Sequence, residues 1–297
     1  AAQAVEAASQ RVARLIGADS DEIIFTSGAT ESNNLALLGL ARRAAAGSRR
    51  RILVGALEHK CVLEIARVLK EQLGFIVEQV PIDKNGRINI QSLKYMIDDD
   101  VLFVSIMAVN NEIGTIEYLD SIGEMVREYG AVFHCDAAQA PCALEISTIS
   151  THADLVSLSG HKIYGPKGVG ALFVRRELQD QIEPLFYGGG QQHGLRSGTV
   201  PTPLCVGMGA AAALLGNDEA DVTGGVPGRV ENVDAVRTEC ERVAFRDDVV
   251  EALDQPLAPS PPPLPGAFAF CTAVPASLLD RVKLRDPWRD PADAEAH

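Results

Sequence analysis

Apolar positions along the first 215 residues alternate between two periods, and the alternation predicts helices and strands in turn. Val5, Val12 and Leu15 fall near helical spacing, so residues 5–16 read as an amphipathic helix. Residues 22–26, rich in Ile and Phe, read as a short strand. After a turn of small residues a helix runs to residue 40. Arg51–Gly55 is the next strand, and a helix follows from Glu58-His59-Lys60 to about residue 73. Residues 75–81 and 87–90 are extended pieces around the turn Asp83-Lys84-Asn85-Gly86, and residues 90–96 are helical. Residues 101–107 form a continuous apolar run, which suits a central parallel strand covered on both faces. A helix over 122–129, a strand over 131–135, apolar runs over 153–159 and 170–174, and an alanine-rich helix over 206–215 complete the series. Strand and helix in succession predict an α/β fold, a mainly parallel sheet with helices on both faces.

The pattern stops there. Residues 217–297 hold 10 of the 16 prolines, with 16 acidic against 8 basic residues. Pro259-Ser260-Pro261-Pro262-Pro263-Leu264-Pro265 carries a polyproline II signature, and only residues 232–253 look helical. The expected organisation is therefore a large domain over residues 1–215 and an irregular, Pro-rich, acidic region over residues 216–297, poorly ordered.

Composition narrows the partners. A net charge of −13 argues against nucleic acid and anionic membranes. No apolar run reaches the roughly 18 residues of a membrane span, and nothing reads as a secretory signal. The chain opens without Met inside a helical pattern, so any targeting segment is expected to be absent from it. The six cysteines show no Cys-x-x-Cys spacing, so no metal site is expected and reduced thiols are the default.

The chemistry gathers at predicted strand ends. Ser159-Gly160-His161-Lys162 follows one apolar run, and a lysine there, between a hydroxyl and an imidazole, suits a Schiff base if it is desolvated and crowded. Ser159 and His161 can donate hydrogen bonds to a phosphate. The turn Thr26-Ser27-Gly28-Ala29-Thr30 feeds a helix N-terminus, which is either an anion site or a plain N-cap. His59 can stack on a flat ring and act as acid or base, although a capping histidine is commoner. The amides of Asn110-Asn111-Glu112-Ile113-Gly114 suit a phenolate or carboxylate, or form a turn. Asp136, in His134-Cys135-Asp136-Ala137-Ala138-Gln139, lies 26 residues before Lys162, one strand away, where its carboxylate can face a cationic group or cap a helix.

The stretch from Ser157 to Leu172 resembles the pyridoxal-phosphate lysine segment of the cysteine desulfurases, in the class-V aminotransferase family. The resemblance implies a fold type I large domain of pyridoxal 5'-phosphate-dependent transferases, with Lys162 as the cofactor lysine. It implies phosphate contacts from Ala29, Thr30, Ser159 and His161, ring stacking and proton transfer by His59, and cofactor contacts from Asn111, Asp136 and Gln139. Gly188-Gly189-Gly190-Gln191-Gln192-His193-Gly194-Leu195-Arg196-Ser197-Gly198-Thr199 resembles the family element whose threonine reaches the partner subunit's phosphate, so Thr199 implies a homodimer. Its wording is most like the housekeeping bacterial and mitochondrial branch that supplies iron–sulfur cluster assembly.

The activity implied by the resemblance is conversion of L-cysteine to L-alanine, with sulfur passed as an enzyme persulfide to an iron–sulfur scaffold or other acceptor. The compartment is then the mitochondrial matrix in a eukaryote and the cytoplasm in a bacterium. The resemblance stops near residue 217, and the family's nucleophilic-cysteine loop and carboxylate-binding arginine are not recognisable. Cys271-Thr272 is the one Cys-Thr pair, with the wrong flanks, and Cys61 and Cys142 fit worse because both lie within the large domain. Selenocysteine lyase, and a homologue that binds the cofactor or dimerises without turnover, remain alternatives.

Overall fold

The computed structural model describes residues 1–216; the expectations for residues 217–297, Cys271 among them, lie outside the described residues. Seven strands build one sheet: β1 (Ile23–Thr26), β2 (Arg51–Gly55), β3 (Ile76–Val80), β4 (Val101–Ser105), β5 (Val132–Asp136), β6 (Leu155–Ser159) and β7 (Gly170–Val174). Their order across the sheet is β1-β7-β6-β5-β4-β2-β3. From β3 to β6 every neighbouring pair is parallel, and β7 runs antiparallel between β6 and β1. The helices are α1 (Ala2–Ile16), α2 (Ala29–Arg43), α3 (Lys60–Glu71), α4 (Ile90–Met96), α5 (Leu119–Glu128), α6 (Ile149–His152) and α7 (Thr202–Gly216).

The strand residues alternate between two apolar layers, as a period of two requires. Ile24, Ile52, Phe103, Leu155 and Leu172 pack with Leu37 and Leu40 of α2 and Val62 and Leu69 of α3. Phe25, Leu53, Val104, Phe133 and Phe173 face Val12 and Ile16 of α1, Ile122 of α5 and Met208 of α7. Helices thus cover both faces, and the continuous apolar runs of β4, β6 and β7 are fully buried strands.

One expectation narrows and one short helix is new. Of the extended piece expected over residues 87–90, Ile88 makes a single bridge to Ile82, and Ile90 already opens α4. The short α6 carries no full helical period in the sequence and is read only from the structure.

The topology decides where chemistry collects. The C-terminal ends of β1, β2, β4, β5 and β6 meet the N-terminal end of β7 at one edge, where Thr26 and Ser159 both stand opposite Gly170. A Cβ at Gly170 would lie 2.5 Å from Gly28 Cα, so β7 brings its backbone directly under the turn after β1.

Candidate active site

A cavity of about 590 Å³ opens at that edge, and residues from five strand ends line it. They include Ala29 and Thr30 after β1, His59 after β2, Asn111 after β4, Asp136 and Gln139 at β5, and Ser159, His161 and Lys162 at β6. Ligands in open α/β sheets sit at this position, where the strands' carboxyl ends open into a crevice.

The turn after β1 is built for an anion. Gly28 takes φ 151° and ψ 175°, a conformation almost confined to glycine, and α2 starts with no side-chain cap. Neither Thr26 nor Ser27 serves as the N-cap: Thr26 Oγ1 pairs with Ser32 Oγ at 2.8 Å, and Gly28 is the capping position. The first turn of a 15-residue helix therefore faces the cavity with its N–H groups and the positive end of its dipole. Glu31 accepts from Ser27 N–H at 2.8 Å and pairs with Arg196 at 2.8 Å. Burial works to raise the pKa of Glu31, but the bonds from Arg196 and Ser27 outweigh it and hold the carboxyl below its ordinary value. The carboxylate beside the anion turn is thereby neutralised.

Asp136 is 4% exposed and bonded on both oxygens. Oδ1 accepts from Ala138 N–H at 3.0 Å and Oδ2 from Asn33 Nδ2 at 2.7 Å. Burial pushes its pKa up, against the pull of those two donors and of His59. A cationic ligand at this carboxylate would stabilise its charged form. Beneath it, His134 is buried between Ser105 Oγ at 2.8 Å and Ser157 Oγ at 3.1 Å, and burial drives its pKa down to about 3. This imidazole is neutral and straps β4, β5 and β6 together under the site.

His59 is the capping histidine that the sequence made the commoner reading, and it also faces the cavity. It caps α3 by accepting Cys61 N–H at Nδ1 over 3.2 Å. Of the two amides after β4, Asn110 is structural: it accepts from Glu112 and Ile113 N–H and donates to the Leu57 carbonyl. Asn111 is exposed and turns to the cavity. Gln139 is half-buried in the wall. Ser159 is buried, and its Oγ meets His161 Nδ1 at 2.9 Å.

Lys162 corrects an expectation. The lysine is exposed, as is His161, and the crowding and desolvation inferred from its sequence neighbours are not found among the described residues. Its place in the short turn Gly160–Lys162 after β6 is as predicted. Thr199 is also exposed and is not part of this chain's own cavity wall.

Three residues of the site carry no sequence signal. Asn33 reaches Asp136 from α2 across 103 positions. Cys61, set aside because it lies in the large domain, lines the cavity with Sγ 3.0 Å from His59 Nδ1. Glu58 is fully buried behind His59, accepting Met107 N–H at 2.7 Å.

The family profile "Aminotransferase class-V" matches residues 1–223. The chain is 54% identical over 213 residues to "Cysteine desulfurase, mitosomal" of Trachipleistophora hominis, covering 71% of this chain and 48% of that protein. It is 52% identical over 214 residues to "Cysteine desulfurase IscS" of Rickettsia felis, covering 72% and 52%. The chain thus spans about half the length of the curated relatives it matches. Among solved structures, one described as "SspA in complex with cysteine" superposes with a TM-score of 0.67 at 42% identity, over 71% of this chain and 60% of that one. DndA from Streptomyces lividans gives 0.68 at 42% identity, over 72% and 61%. With its first 223 residues under one profile and the sheet of those structures, the chain belongs to the aminotransferase class-V family.

Proposed function

We propose that this chain is the large-domain part of a pyridoxal 5'-phosphate-dependent cysteine desulfurase, converting L-cysteine to L-alanine and passing sulfur on for iron–sulfur cluster assembly. One observation carries the reading: Lys162 and Asp136 stand at the ends of paired strands β6 and β5 in a single cavity that also holds an uncapped helix N-terminus.

The donor set fits the cofactor group by group. The α2 N-terminus at Ala29 and Thr30, with Ser159 and His161, would hold its phosphate. Asp136 would hold the ring nitrogen, and the raised pKa of this buried carboxyl is what a bound cation would reverse. His59 would cover the ring face, with Asn111 and Gln139 at the phenolic oxygen. When bound, pyridoxal phosphate supplies an aldehyde that captures amines and a cationic ring that draws electrons from the attached carbon.

The chain's own groups do the rest. Lys162 Nζ would be the amine that holds the aldehyde and, when free, a base at the same spot. His59 would give or take a proton. A cysteine thiol would attack the substrate sulfur: the S–S bond of a persulfide forms, the carbon–sulfur bond breaks with its electron pair left on carbon, and a proton taken up there completes alanine. Cys271 is the candidate, and it lies outside the described residues. Cys61 does not suit that role, because burial pushes its thiol above its ordinary value and keeps it protonated.

The partners that go with this reading are L-cysteine, a second copy of the chain whose Thr199 completes the phosphate site, and a sulfur-accepting scaffold. On this reading the compartment is the mitosome or mitochondrion, as the names of two eukaryotic relatives have it, or the cytoplasm of a bacterium; among the described residues no helix is long and apolar enough to cross a membrane.

The test uses the full chain with pyridoxal phosphate. A visible absorption band, a borohydride-trapped adduct lost in Lys162→Ala, and alanine formation from L-cysteine support the reading. A trapped adduct on Lys162→Ala overturns the lysine assignment. A band without alanine leaves a cofactor-binding homologue without turnover, and no band rejects both.

A further inference from the structure

The strongest unassigned feature is a line of hydrogen bonds behind the cavity wall. Cys61 N–H donates to His59 Nδ1 at 3.2 Å, and Cys61 Sγ lies 3.0 Å from the same nitrogen. A backbone N–H only donates, so Nδ1 carries a lone pair and the proton of the neutral ring sits on Nε2. The thiol is held in its protonated form by burial, so its hydrogen also points to Nδ1.

On its other side the sulfur accepts from Asn33 Nδ2 at 3.1 Å. The same amide nitrogen donates to Asp136 Oδ2 at 2.7 Å. Asn33 is fully buried, and its Oδ1 has no partner among the described residues. The amide is therefore oriented from its NH2 end alone. Turning it over would set Oδ1 against the Asp136 carboxylate and the sulfur, so the carboxylate fixes the amide and the amide fixes the direction of the thiol.

We propose that Cys61 is a positioning residue: its backbone N–H holds His59 as the Nε2–H tautomer, which presents that N–H to the cavity, and its thiol ties the ring through Asn33 to Asp136. The consequence for turnover rests on the desulfurase reading, in which His59 acts on the bound cofactor and substrate. In that case the neutral histidine enters as a hydrogen-bond donor at Nε2. The tautomer itself is a property of the chain alone.

The experiment is a long-range 1H–15N correlation on the full chain labelled with 15N-histidine, with and without pyridoxal phosphate, paired with steady-state kinetics. The unaltered chain is expected to show His59 protonated at Nε2 and bare at Nδ1 at neutral pH. Cys61→Ala keeps the backbone N–H, so His59 should stay Nε2–H, but it removes the thiol link to Asn33 and should lower kcat roughly 3- to 10-fold with KM for L-cysteine nearly unchanged, the loss expected for one neutral hydrogen bond. Cys61→Ser keeps a donor and an acceptor and should restore most of kcat. Finding Nδ1–H in the unaltered chain, or an unchanged kcat in Cys61→Ala, overturns the proposal. If the chain binds cofactor and forms no alanine, the desulfurase reading fails, and the tautomer pattern still decides this one.

Discussion

Glu58 shows how far a single residue in this site departs from its ordinary chemistry. Its side chain is enclosed, Oε1 accepts only Met107 N–H, and Oε2 has no partner among the described residues. Burial raises its pKa well above the ordinary 4.5, and the negative charges of Asp136 and Glu117 push the same way. The folded chain therefore holds a proton there that the unfolded chain releases. The stability this provides is complete below about the ordinary value and falls as pH rises from it toward the folded value, at up to ~1.4 kcal/mol per pH unit for one proton. Glu58→Gln copies the neutral acid in shape and has nothing to ionise. Its stability relative to the unaltered chain should rise from pH 5 to pH 8 in urea unfolding; a constant difference would mean the carboxyl is already charged in the fold. Glu58, Asn33 and Cys61 stayed hidden in the sequence for a common reason. They act through partners set by tertiary packing, whereas Lys162, Asp136 and His59 are announced by apolar runs that end at them. The burial expected of Lys162 failed because its neighbours Ser159 and His161 line the same open cavity and do not cover the lysine.

Elements were more legible than contacts between them. Arg51–Gly55, Ile90–Met96 and Gly170–Val174 fall where the apolar pattern puts them, since a buried strand and a one-sided helix leave unmistakable periods. The pairing of α1 with α7 left no such trace. Helix α7 is apolar all round, so its sequence names no particular face, and the structure shows the reason: it is buried against α1 as well as the sheet. The close approach is set by Gly209, where a Cβ would meet Ala8 Cα at 2.7 Å. Gly209→Val must push the two helices apart and should cost about 1–3 kcal/mol, the usual penalty of overpacking. Gly216→Ala at the end of the same helix meets nothing within 4 Å among the described residues and should stay within about 0.5 kcal/mol. Urea midpoints followed by circular dichroism compare the two; equal midpoints would show that the α1–α7 contact yields freely.

At the scale of the whole molecule, the loop that precedes Thr199 is fastened to this chain's own β1 and α2, while Thr199 stays outside the cavity wall. Gln192 clamps the edge strand β1, accepting Phe25 N–H at 2.6 Å and donating to the Phe25 carbonyl at 2.9 Å. Arg196 pairs with Glu31 in the first turn of α2, and Gly198 N–H bonds to Gln191 Oε1 at 2.9 Å. The loop is thus held at several points, while Thr199 is exposed, and Phe186 and Tyr187 just before the loop are 49% and 76% exposed, apolar surface that a second copy would cover. In the proposed homodimer each cavity takes Lys162 from one subunit and Thr199 from its partner. A mixture separates this arrangement from one in which each chain is self-sufficient. Homodimers of Lys162→Ala should trap no pyridoxal phosphate with borohydride, and homodimers of Thr199→Ala should bind it more weakly. Refolded together, the two variants form a heterodimer with one site lacking both groups and one site with both intact. That intact site should bind cofactor with the affinity of the unaltered protein, at half its stoichiometry. If cofactor affinity in the mixture stays at the level of Thr199→Ala alone, Thr199 serves its own subunit and the cavities are not shared.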